Sequence, residues 1–533
     1  MTARRWRVLV TDRIDRDGLR PLAEDSRFEL VERGSLQPAE LAEALEGMEA
    51  LLVRSATRVP REALARARRL RIIGRAGVGI DTIDLDAATE RGVAVVNAPG
   101  GNTVAVAELT FALLLALVRR IPAADRSMHD GNWDRGRLGG TELHGKLLGL
   151  VGAGRVGAEV ARRARAFGMG VVAHDPFLAA ERAQELEIEL LPLEQLLQRA
   201  DVVSLHTPLT DQTRGMVGAR ELALMSPDAI LVNAARGGVV DEASLVDALR
   251  AGRLAGAALD VYAEEPLPAD HPFRSLDNVI LTPHLGASTE EAQRNVALEV
   301  ADAVRAALVD GDFSRAVNGP AIGGERLRRA RPLLDLATRL GRLLAALAEG
   351  AITRLELRYS GEEELILDPL AAAAATGLLE GVVGREGVNF VNALHLGRTR
   401  GIEIARTRSR RQDAWPELLE LRSCWAGGVS STTGVVLGGG HARIIELDGF
   451  RVDVRPSGTL LILRNRDVPG VIGRVGTALA QAGLNIGEYH QARHEEGGEA
   501  LATVSADGSP SPELLEVLRG LPEVLGARVA HLD

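Results

Sequence analysis

The sequence is poor in three residue types that build particular kinds of site. Among 533 residues it has one cysteine, one lysine and only 3% aromatic residues. Because Cys424 has no second cysteine to pair with, a disulfide within the chain and a thiolate-rich metal site are both excluded, and a lysine Schiff base could form only at Lys146. The few aromatic residues disfavour a β-sandwich, which relies on aromatic cross-strand pairs. The near absence of cysteine is typical of a reducing compartment, so we expect a cytoplasmic protein without a metal.

The sequence also lacks an excess of positive charge and a long apolar run. Its 63 basic and 73 acidic residues give a formal net charge of -10, which argues against nucleic acid or an anionic lipid surface as a partner. The strongest apolar run, Leu109 to Val118, has ten residues and is too short to span a bilayer. We therefore expect no nucleic-acid partner and no membrane partner, and an anionic ligand must be held by a few local cations.

Glycine, by contrast, is plentiful, with 58 residues, as expected of a chain with many tight strand-to-helix turns. At about 150 residues per domain, the length predicts three or four domains. Short β-branched runs alternate with amphipathic stretches in two series, and this alternation predicts two parallel sheets covered by helices. Predicted strands lie at 8–10, 50–53, 71–74 and 93–96, then from 147 and at 171–173, 202–205, 229–233, 255–260 and 279–281. Helices are predicted at 104–120, between the series, and at 289–308, after them.

Two further regions follow a glycine-rich linker at 318–324. Residues 325–455 mix predicted helices and strands. Residues 458–533 have the order strand, helix, strand, strand, helix, strand, which is the βαββαβ order of a ferredoxin-like module. Because this small module pairs no nucleophile with a base, we expect it to have a regulatory or packing role.

A glycine fingerprint opens the second βα series. Gly152, Gly154 and Gly157 follow an apolar strand and begin a helix, where glycines allow a tight turn, a close approach to a pyrophosphate and close packing of the helix on the sheet. Asp175 ends the next strand, 18 residues after Gly157, about the spacing expected for an acid that binds the adenosine ribose. A carboxylate there would repel a 2′-phosphate, so the pattern predicts NAD rather than NADP.

Three residues at strand ends have the chemistry that oxidation of a 2-hydroxy acid requires. Arg236 precedes two glycines, so its guanidinium can come close to a carboxylate for bidentate contact. Glu265 and His284 follow the next two strands, at the edge where open α/β sheets bind ligands. A carboxylate beside the imidazole would fix its tautomer and stabilise the imidazolium that forms when His284 accepts a proton. His206 is the best rival base, but no acid follows a neighbouring strand for it, and we predict that it lines the cofactor pocket.

These motifs together resemble the D-isomer-specific 2-hydroxyacid dehydrogenases. The ordered set comprises Gly-Arg-Ala-Gly-Val-Gly at 74–79, the fingerprint at 152–157, Val-Asn-Ala-Ala-Arg-Gly-Gly at 232–238, Asp-Val-Tyr-Ala-Glu-Glu-Pro at 260–266 and Thr-Pro-His-Leu-Gly-Ala-Ser-Thr at 282–289. Within that family the chain resembles most the long members that oxidise 3-phospho-D-glycerate to 3-phosphohydroxypyruvate with NAD, the first step of the phosphorylated route to L-serine. The resemblance covers essentially the whole chain.

The resemblance implies an α/β fold with two Rossmann-like parallel-sheet lobes. A flavodoxin-like substrate-binding lobe would comprise 1–100 and 288–320 (the N-terminal lobe), and the NAD-binding lobe would comprise 101–287 (the second lobe). Residues 325–455 would form an α+β intervening domain, similar to an allosteric substrate-binding domain, and 458–533 an ACT domain (the C-terminal module). A homodimer or homotetramer is also implied.

The resemblance assigns roles to individual residues. Arg236, Glu265 and His284 would be catalytic. The cofactor would contact Gly152, Gly154, Arg155, Val156, Gly157, Asp175, Thr207, Ala234, Asp260 and Gly286. The substrate phosphate would be held by Arg54, Ser55, Arg75, Gly77 and Asn102, with Arg135 reaching across a dimer. In the C-terminal module, Asp467 and Asn485 would bind L-serine as a feedback inhibitor.

Three other functions remain open from the residues alone. A glyoxylate or hydroxypyruvate reductase of the same family would share every catalytic residue, and only the phosphate-facing arginines and the C-terminal regions separate it from the first interpretation. A non-catalytic NAD sensor is disfavoured by the intact set of Arg236, Glu265 and His284. A regulator that only binds amino acids through the C-terminal module would leave the first 320 residues unexplained.

Overall fold

The computed structural model describes residues 5–409, 415 and 417–533. Within them the chain forms four sheets of five, seven, six and four strands. The first two sheets are wholly parallel, as the alternation of strands and helices predicts, and the α/β fold class is confirmed.

The N-terminal lobe has a sheet of order β2-β1-β3-β4-β5, which is the flavodoxin-like order. Its elements are β1 (Trp6–Val10), α1 (Arg20–Ala23), β2 (Phe28–Glu32), α2 (Pro38–Ala44), β3 (Ala50–Val53), α3 (Arg61–Leu64), β4 (Ile72–Arg75), α4 (Leu85–Glu90) and β5 (Ala94–Asn97). Strand β2 was not predicted from the sequence. It lies at the sheet edge and is only partly buried, so its apolar pattern is weak.

The second lobe has a sheet of order β12-β11-β10-β9-β6-β7-β8. Its elements are α5 (Thr103–Val118), α6 (Ile121–His129), β6 (Leu147–Val151), α7 (Arg155–Ala166), β7 (Gly170–His174), α8 (Ala180–Glu185), β8 (Glu189–Leu190), α9 (Leu193–Arg199), β9 (Val202–Leu205), α10 (Ala219–Leu222), β10 (Ile230–Asn233), α11 (Glu242–Arg250), β11 (Gly256–Leu259) and β12 (Val279–Leu281). The strand order reverses between β6 and β9, and ligands of open α/β sheets bind beyond the carboxyl ends of the strands at such a switch point.

Helix α12 (Glu290–Asp310) returns the chain to the N-terminal lobe. Its buried Val300 and Val304 belong to the same core as Val8 of β1. Gly74 of β4 makes this packing possible, since an added Cβ there would lie 2.4 Å from Val300 Cγ1. The lobe that begins the chain is therefore completed by a helix some 200 residues later.

The intervening domain packs two long helices on a mixed sheet of order β14-β13-β15-β16-β17-β18. Its elements are α13 (Gly324–Leu347), β13 (Ile352–Ser360), α14 (Leu367–Val383), α15 (Ala393–Thr399), β14 (Glu403–Ser409), β15 (Leu418–Trp425), β16 (Gly428–Leu437), β17 (His441–Leu447) and β18 (Phe450–Val454). Helices α13 and α14 touch at Gly341 and Gly377, where an added Cβ would lie 2.1 Å from Ala374 O and 1.9 Å from Thr338 O, respectively.

By length and composition, the stretch Glu364–Val383, which includes α14, is apolar enough to cross a membrane. Most of it is buried inside the protein. It therefore serves as a core helix of the intervening domain. The strongest apolar run predicted from the sequence, 109–118, lies instead in the shorter helix α5.

The C-terminal module has the predicted βαββαβ order. Its elements are β19 (Thr459–Arg466), α16 (Val471–Gln481), β20 (Ile486–Arg493), β21 (Glu499–Ala506), α17 (Pro512–Arg519) and β22 (Val524–His531), and the sheet order is β20-β21-β19-β22. Helices α16 and α17 pack on one face of the sheet. On the other face, Ile462 and Leu501 join the core of the intervening domain, so the module and that domain share one apolar core.

The intervening domain also contacts the N-terminal lobe. Asn389 Nδ2 donates to Gly92 O at 2.8 Å, directly before β5. Val391 is buried among the core residues of that lobe. The part of the chain beyond the two lobes is thus packed against the lobe that carries the candidate substrate-binding arginines.

Candidate active site

Glu265 and His284, predicted from separate strand ends, lie in direct contact. His284 Nδ1 is 2.7 Å from Glu265 Oε2. With the Nδ1 proton donated to the carboxylate, Nε2 is the atom left to accept a proton from a ligand. Both side chains are partly exposed, so the pair is accessible from the cleft.

Glu265 is held by the loop that carries it. Tyr262 N donates to Glu265 Oε1 at 3.1 Å, so both carboxylate oxygens have partners. The neighbouring strand end comes very close, since an added Cβ at Gly237 would lie only 1.8 Å from Tyr262 O. Glycine at 237 is therefore required to bring the loop of Arg236 beside the loop of Glu265.

Asp260 fixes the loop that carries His284. Its fully buried carboxylate accepts hydrogen bonds from Thr282 Oγ1 at 2.6 Å, Leu285 N at 2.7 Å and Gly286 N at 2.9 Å. Burial raises the pKa of the Asp260 carboxyl, and these hydrogen bonds oppose the shift. The contacts hold the turn around His284, whose φ is 55°. Two of them go to Oδ1 and one to Oδ2, so Oδ2 keeps a lone pair for the cofactor contact that the resemblance assigns to Asp260.

Arg236 lies across the cleft from the N-terminal lobe. Its Nη1 donates to Ala235 O at 2.7 Å, and Asn233 Nδ2 donates to the Arg236 carbonyl at 3.0 Å. Its Nε lies 3.6 Å from Asp81 Oδ2, on the loop that follows β4. The guanidinium is therefore oriented from both lobes, and its Nη2 packs on Gly79, where an added Cβ would lie 2.5 Å from it.

Arg54 follows β3, and Arg75 is the last residue of the neighbouring strand β4. Burial, followed by the positive charge of Arg236, lowers the pKa of Arg75 to about 10. Burial also lowers the pKa of Arg54. Arg75 Nε is buried without a hydrogen-bond partner among the described residues. Because like charges in a partly desolvated cleft repel, an anion between these groups would be stabilised by them.

The other predicted substrate residues are placed differently. Gly77 packs on Arg75, since an added Cβ would lie 1.8 Å from Arg75 Nη1. Ser55 is exposed beside Arg54, and Asn102 Oδ1, at the start of α5, is buried without a partner in the described chain. Arg135 lies in an exposed turn and has no polar contact with any of them, so its role across a dimer stays a prediction.

Two acids of this cleft were not predicted from the sequence. Asp81 contacts Arg236, as described above. Asp12 follows β1 and accepts hydrogen bonds from Arg54 N at 2.8 Å and Thr57 N at 3.2 Å. The available signal was an acid at the carboxyl end of a strand, the same position that indicated Glu265 and Asp175.

The glycine fingerprint forms an open cradle at the switch point. An added Cβ at Gly152 would lie 2.7 Å from His206 O, and one at Gly157 would lie 2.3 Å from Gly152 O. Both glycines are therefore required by close packing. Gly154 instead faces open space, at the amino terminus of the twelve-residue helix α7, where backbone N–H groups favour a phosphate.

Asp175 lies at the end of β7 beside this cradle. Its Oδ2 accepts from Ala153 N and its Oδ1 from Phe177 N, both at 2.9 Å. Each oxygen has a further lone pair for a ribose hydroxyl. The next arginine along the chain, Arg182, pairs with Glu185.

Buried polar atoms lie along the remaining wall of the groove. Thr207 Oγ1 and His206 Nδ1 are buried without a partner in the described part of the chain. Burial lowers the pKa of His206 to about 4, so the ring is neutral and is a poor general base. The other predicted cofactor residues, placed around the same strand ends, are Arg155 and Val156 at the start of α7, Ala234 after β10 and Gly286 after His284.

The groove fits NAD by three observations: the open cradle at Gly154, the acid at Asp175 and the unpartnered polar atoms at 206–207. Among the described residues, no group of three or more histidine, cysteine, aspartate or glutamate side chains is arranged to hold a metal ion. The arrangement is therefore suited to transfer of a hydride with a separate proton acceptor.

The two predicted effector residues lie in the C-terminal module and are both paired within the chain. Asp467 Oδ2 is 2.8 Å from Arg493 Nη1, and a hydrogen bond from Arg493 lowers the pKa of Asp467. Asn485 Nδ2 donates to Asp507 Oδ2 at 2.9 Å. Buried polar atoms without a partner in the described residues also occur in this module, on Asn465, Tyr489, Gln491, Thr503 and Glu523.

Three family models match successive parts of the chain. The model described as "D-isomer specific 2-hydroxyacid dehydrogenase, NAD binding domain" matches residues 111–286. The "D-3-phosphoglycerate dehydrogenase intervening domain" matches residues 329–448, and the "ACT domain" matches residues 459–523.

Known proteins align with the chain over its full length or over its two lobes. A D-3-phosphoglycerate dehydrogenase of Methanocaldococcus jannaschii is 39% identical and covers 99% of this chain and 100% of its own. One of Synechocystis is 40% identical over 98% of this chain and 94% of its own. The crystal structure of D-lactate dehydrogenase from Aquifex aeolicus, complexed with NAD and lactic acid, is 30% identical and covers 58% of this chain and 97% of its own, with a TM-score of 0.51.

Proposed function

We propose that this chain, which belongs to the D-isomer-specific 2-hydroxyacid dehydrogenase family, oxidises 3-phospho-D-glycerate to 3-phosphohydroxypyruvate with NAD. The enzyme is an NAD-dependent D-2-hydroxyacid dehydrogenase, and the reaction is the first step of the phosphorylated route to L-serine. Its full-length relatives include those of Methanocaldococcus jannaschii and Synechocystis described above.

The hydroxyl proton goes to His284. With Nδ1 bonded to Glu265, Nε2 accepts the proton from the C2 hydroxyl, and the adjacent carboxylate stabilises the imidazolium that results. NAD, when bound in the groove beside Gly154, supplies the acceptor for the hydride that leaves C2. In the reverse direction, the imidazolium returns the proton to the keto oxygen.

The substrate carboxylate binds Arg236. Contacts with Asp81 and Ala235 O restrict the orientation of the guanidinium, which can then present its remaining N–H groups to the carboxylate. Substrate orientation of this kind lowers the barrier by placing C2 and its hydroxyl in reacting geometry. Arg236 therefore acts on binding and on orientation together.

The phosphate lies against Arg54 and Arg75. The observation that carries the proposal is that Arg75 Nε is buried without a partner among the described residues. The positive charges of Arg54 and Arg236 lie close to it. A dianionic phosphate would relieve that repulsion through charge-assisted hydrogen bonds. Ser55, Gly77 and Asn102 complete this end of the cleft, and Arg135 of a second copy is proposed to reach it.

The unphosphorylated alternative is less well supported. A glyoxylate or hydroxypyruvate reductase needs Arg236, Glu265 and His284 but has no use for a buried cation at Arg75. A non-catalytic NAD sensor would not need the bond between His284 and Glu265. Both alternatives are tested by the substrate assay below.

Regulation, assembly and location are further parts of the proposal. The ACT domain supports regulation by a small molecule, and we propose that L-serine inhibits by binding near Asp467 and Asn485. A homodimer or homotetramer in the cytoplasm completes the proposal. We propose the domain division at 1–100 with 288–320, 101–287, 325–455 and 458–533.

The test is NADH formation by the purified protein with NAD. We expect 3-phospho-D-glycerate to be oxidised with a much larger kcat/KM than D-glycerate or glycolate. NADP in place of NAD should give little activity, because Asp175 repels the 2′-phosphate. Equal or faster turnover of the unphosphorylated acids would contradict the proposed substrate.

A further inference from the structure

Asp12 has an unusual backbone conformation at the mouth of the cleft. It follows β1, which is the neighbour of β3 in the sheet, and its φ is 62°. This left-handed conformation is uncommon for any residue except glycine and is best tolerated by asparagine and aspartate. A side chain held in this way at a strand end, beside a ligand cleft, suggests a functional role.

The Asp12 carboxylate is hydrogen-bonded to both ends of the 54–57 loop. Arg54 N and Thr57 N, three residues apart, both donate to Oδ2, at 2.8 and 3.2 Å. Thr57 Oγ1 donates to Oδ1 at 2.5 Å. The two ends of the loop thus converge on one carboxylate, and the segment between them carries the side chains of Arg54 and Ser55.

Thr57 anchors this contact in the protein interior. It is fully buried, and its hydroxyl also accepts a hydrogen bond from Leu36 N at 3.4 Å. Asp12 therefore ties the loop to a fixed point between two strand ends. Without the carboxylate, two backbone N–H groups and one hydroxyl would each need a new partner.

The same carboxylate places a negative charge near Arg54 and Arg75. It favours the charged form of Arg54 and of Arg75 against the effect of burial on their pKa values. The charged groups around this point are Asp12, Arg54, Arg75, Asp81 and Arg236. Asp12 is the one of the two acids that is hydrogen-bonded to the loop of Arg54.

We propose that Asp12 is a positioning residue that holds the 54–57 loop, and with it Arg54 and Ser55, so that the cleft selects a phosphorylated substrate. This inference rests on the proposed function. Asp12 contacts neither the reacting atoms nor the cofactor groove. Its loss should therefore weaken discrimination between substrates more than it weakens the chemical step.

The experiment compares reduction of 3-phosphohydroxypyruvate with reduction of hydroxypyruvate by NADH. The selectivity ratio is kcat/KM for the first divided by kcat/KM for the second, measured in one preparation, so the fraction of active protein cancels. Asp12→Gly keeps the left-handed backbone accessible while removing the carboxylate. Asp12→Asn keeps the shape and one carbonyl acceptor but removes the charge.

Asp448 offers a matched control in the intervening domain. Its φ is 48°, and its carboxylate accepts from Ser430 Oγ at 2.5 Å and Ser431 N at 2.9 Å. Asp448→Gly thus removes similar loop contacts at the same kind of backbone position, away from the cleft, together with an ion pair to Arg464. Its selectivity ratio should stay within about twofold of the wild-type ratio, whatever it does to stability.

We expect Asp12→Gly to lower the selectivity ratio by about tenfold and Asp12→Asn by about threefold, mainly through KM of the phosphorylated substrate. If Asp12→Gly does not fold, Asp12→Asn and Thr57→Val are measured by the same ratio, and both should lower it. A ratio that stays within twofold of wild type, or that falls equally in Asp448→Gly, would overturn the inference. Wild-type enzyme that prefers hydroxypyruvate would overturn the proposed function instead.

Discussion

Polar atoms are paired differently in the two predicted ligand sites. One is the cleft between the two lobes, and the other is the region of Asp467 and Asn485 in the C-terminal module. In the cleft, Arg75 Nε and Thr207 Oγ1 are buried without partners in the described residues, while His284 Nδ1 is hydrogen-bonded to Glu265. In the module, Asp467 and Asn485 are already bonded to other side chains. Arg75 therefore keeps a donor for a ligand, whereas a ligand of Asp467 or Asn485 must compete with internal contacts.

A sequence motif therefore does not by itself indicate that its side chains are unpaired and available to a ligand. The resemblance led to both regions by the same kind of reasoning, from a short sequence pattern to a residue role. Only the structure shows that Arg75 keeps an unpartnered donor while Asp467 and Asn485 are engaged, although Asn465 and Tyr489 of the C-terminal module also have buried atoms without partners in the described residues. Binding in the second region should therefore cost more rearrangement and should be weaker.

The largest effect should follow from replacing His284. We expect His284→Asn to lower kcat by about 10³-fold, because no group then accepts the hydroxyl proton. Calorimetric titration with NADH should show affinity close to wild type, since the groove beside Gly154 is untouched. His206→Gln is the comparison, and a greater loss there than in His284→Asn would show that the proton acceptor is misassigned.

A change of stability with pH should reveal the neutral, buried His206. Its folded pKa of about 4 lies below the ordinary value of 6.5, so the unfolded chain binds more protons between these values. Stability should consequently fall as pH decreases from about 6.5 to 4, by at most about 3 kcal/mol from this residue. Apparent melting temperatures should depend less on pH in His206→Gln, while the exposed control His129→Gln should keep the wild-type slope.

Replacing Arg75 should affect the phosphorylated substrate selectively. We expect Arg75→Met to lower kcat/KM for 3-phospho-D-glycerate by about 30-fold, from the loss of charge-assisted hydrogen bonds to the phosphate. Arg16→Met, which removes an exposed arginine paired with Glu32 in the same lobe, should have no such effect. Steady-state kinetics with D-glycerate supply the second control, and an equal loss on both acids would contradict a phosphate role for Arg75.

The smallest effect should come from the C-terminal module. Arg493 forms an ion pair with Asp467, and a ligand of Asp467 must compete with it. We therefore expect Arg493→Met to lower the L-serine concentration for half-inhibition by about threefold. Arg519→Met, which removes an exposed pair with Glu516 in the same module, is the matched control. Initial rates over a serine titration check this. Unchanged inhibition in Arg493→Met would show that the effector does not compete with Arg493, and no inhibition of wild type would refute serine as the effector.

The sequence predicted most elements of the lobes because their strands are short, buried and β-branched. It also placed Glu265 and His284 at neighbouring strand ends, and their contact is confirmed. It missed β2, whose pattern is only partly buried. Asp12 was missed because its partners lie more than 40 residues away along the chain, and a strand-end acid alone does not reveal them.

Pairing within the C-terminal module could not be predicted for a similar reason. The bond between Asp467 and Arg493 joins the start of one loop to the end of a strand, a contact that depends on the twist and register of the sheet. The shared core of the module and the intervening domain was also unforeseen. The sequence indicates that Ile462 is an apolar strand residue, but it does not indicate that this face of the sheet packs on the intervening domain.

We propose that the cleft selects a phosphorylated D-2-hydroxy acid through its arginines. An internal competition measures this selectivity: wild-type enzyme reacts with NAD and equal concentrations of 3-phospho-D-glycerate and D-glycerate in one solution, and both 2-oxo acid products are quantified early. The product ratio equals the ratio of the two kcat/KM values. Two charge-assisted hydrogen bonds predict at least about 100-fold more phosphorylated product, whereas equal amounts, or an excess of hydroxypyruvate, would contradict the account.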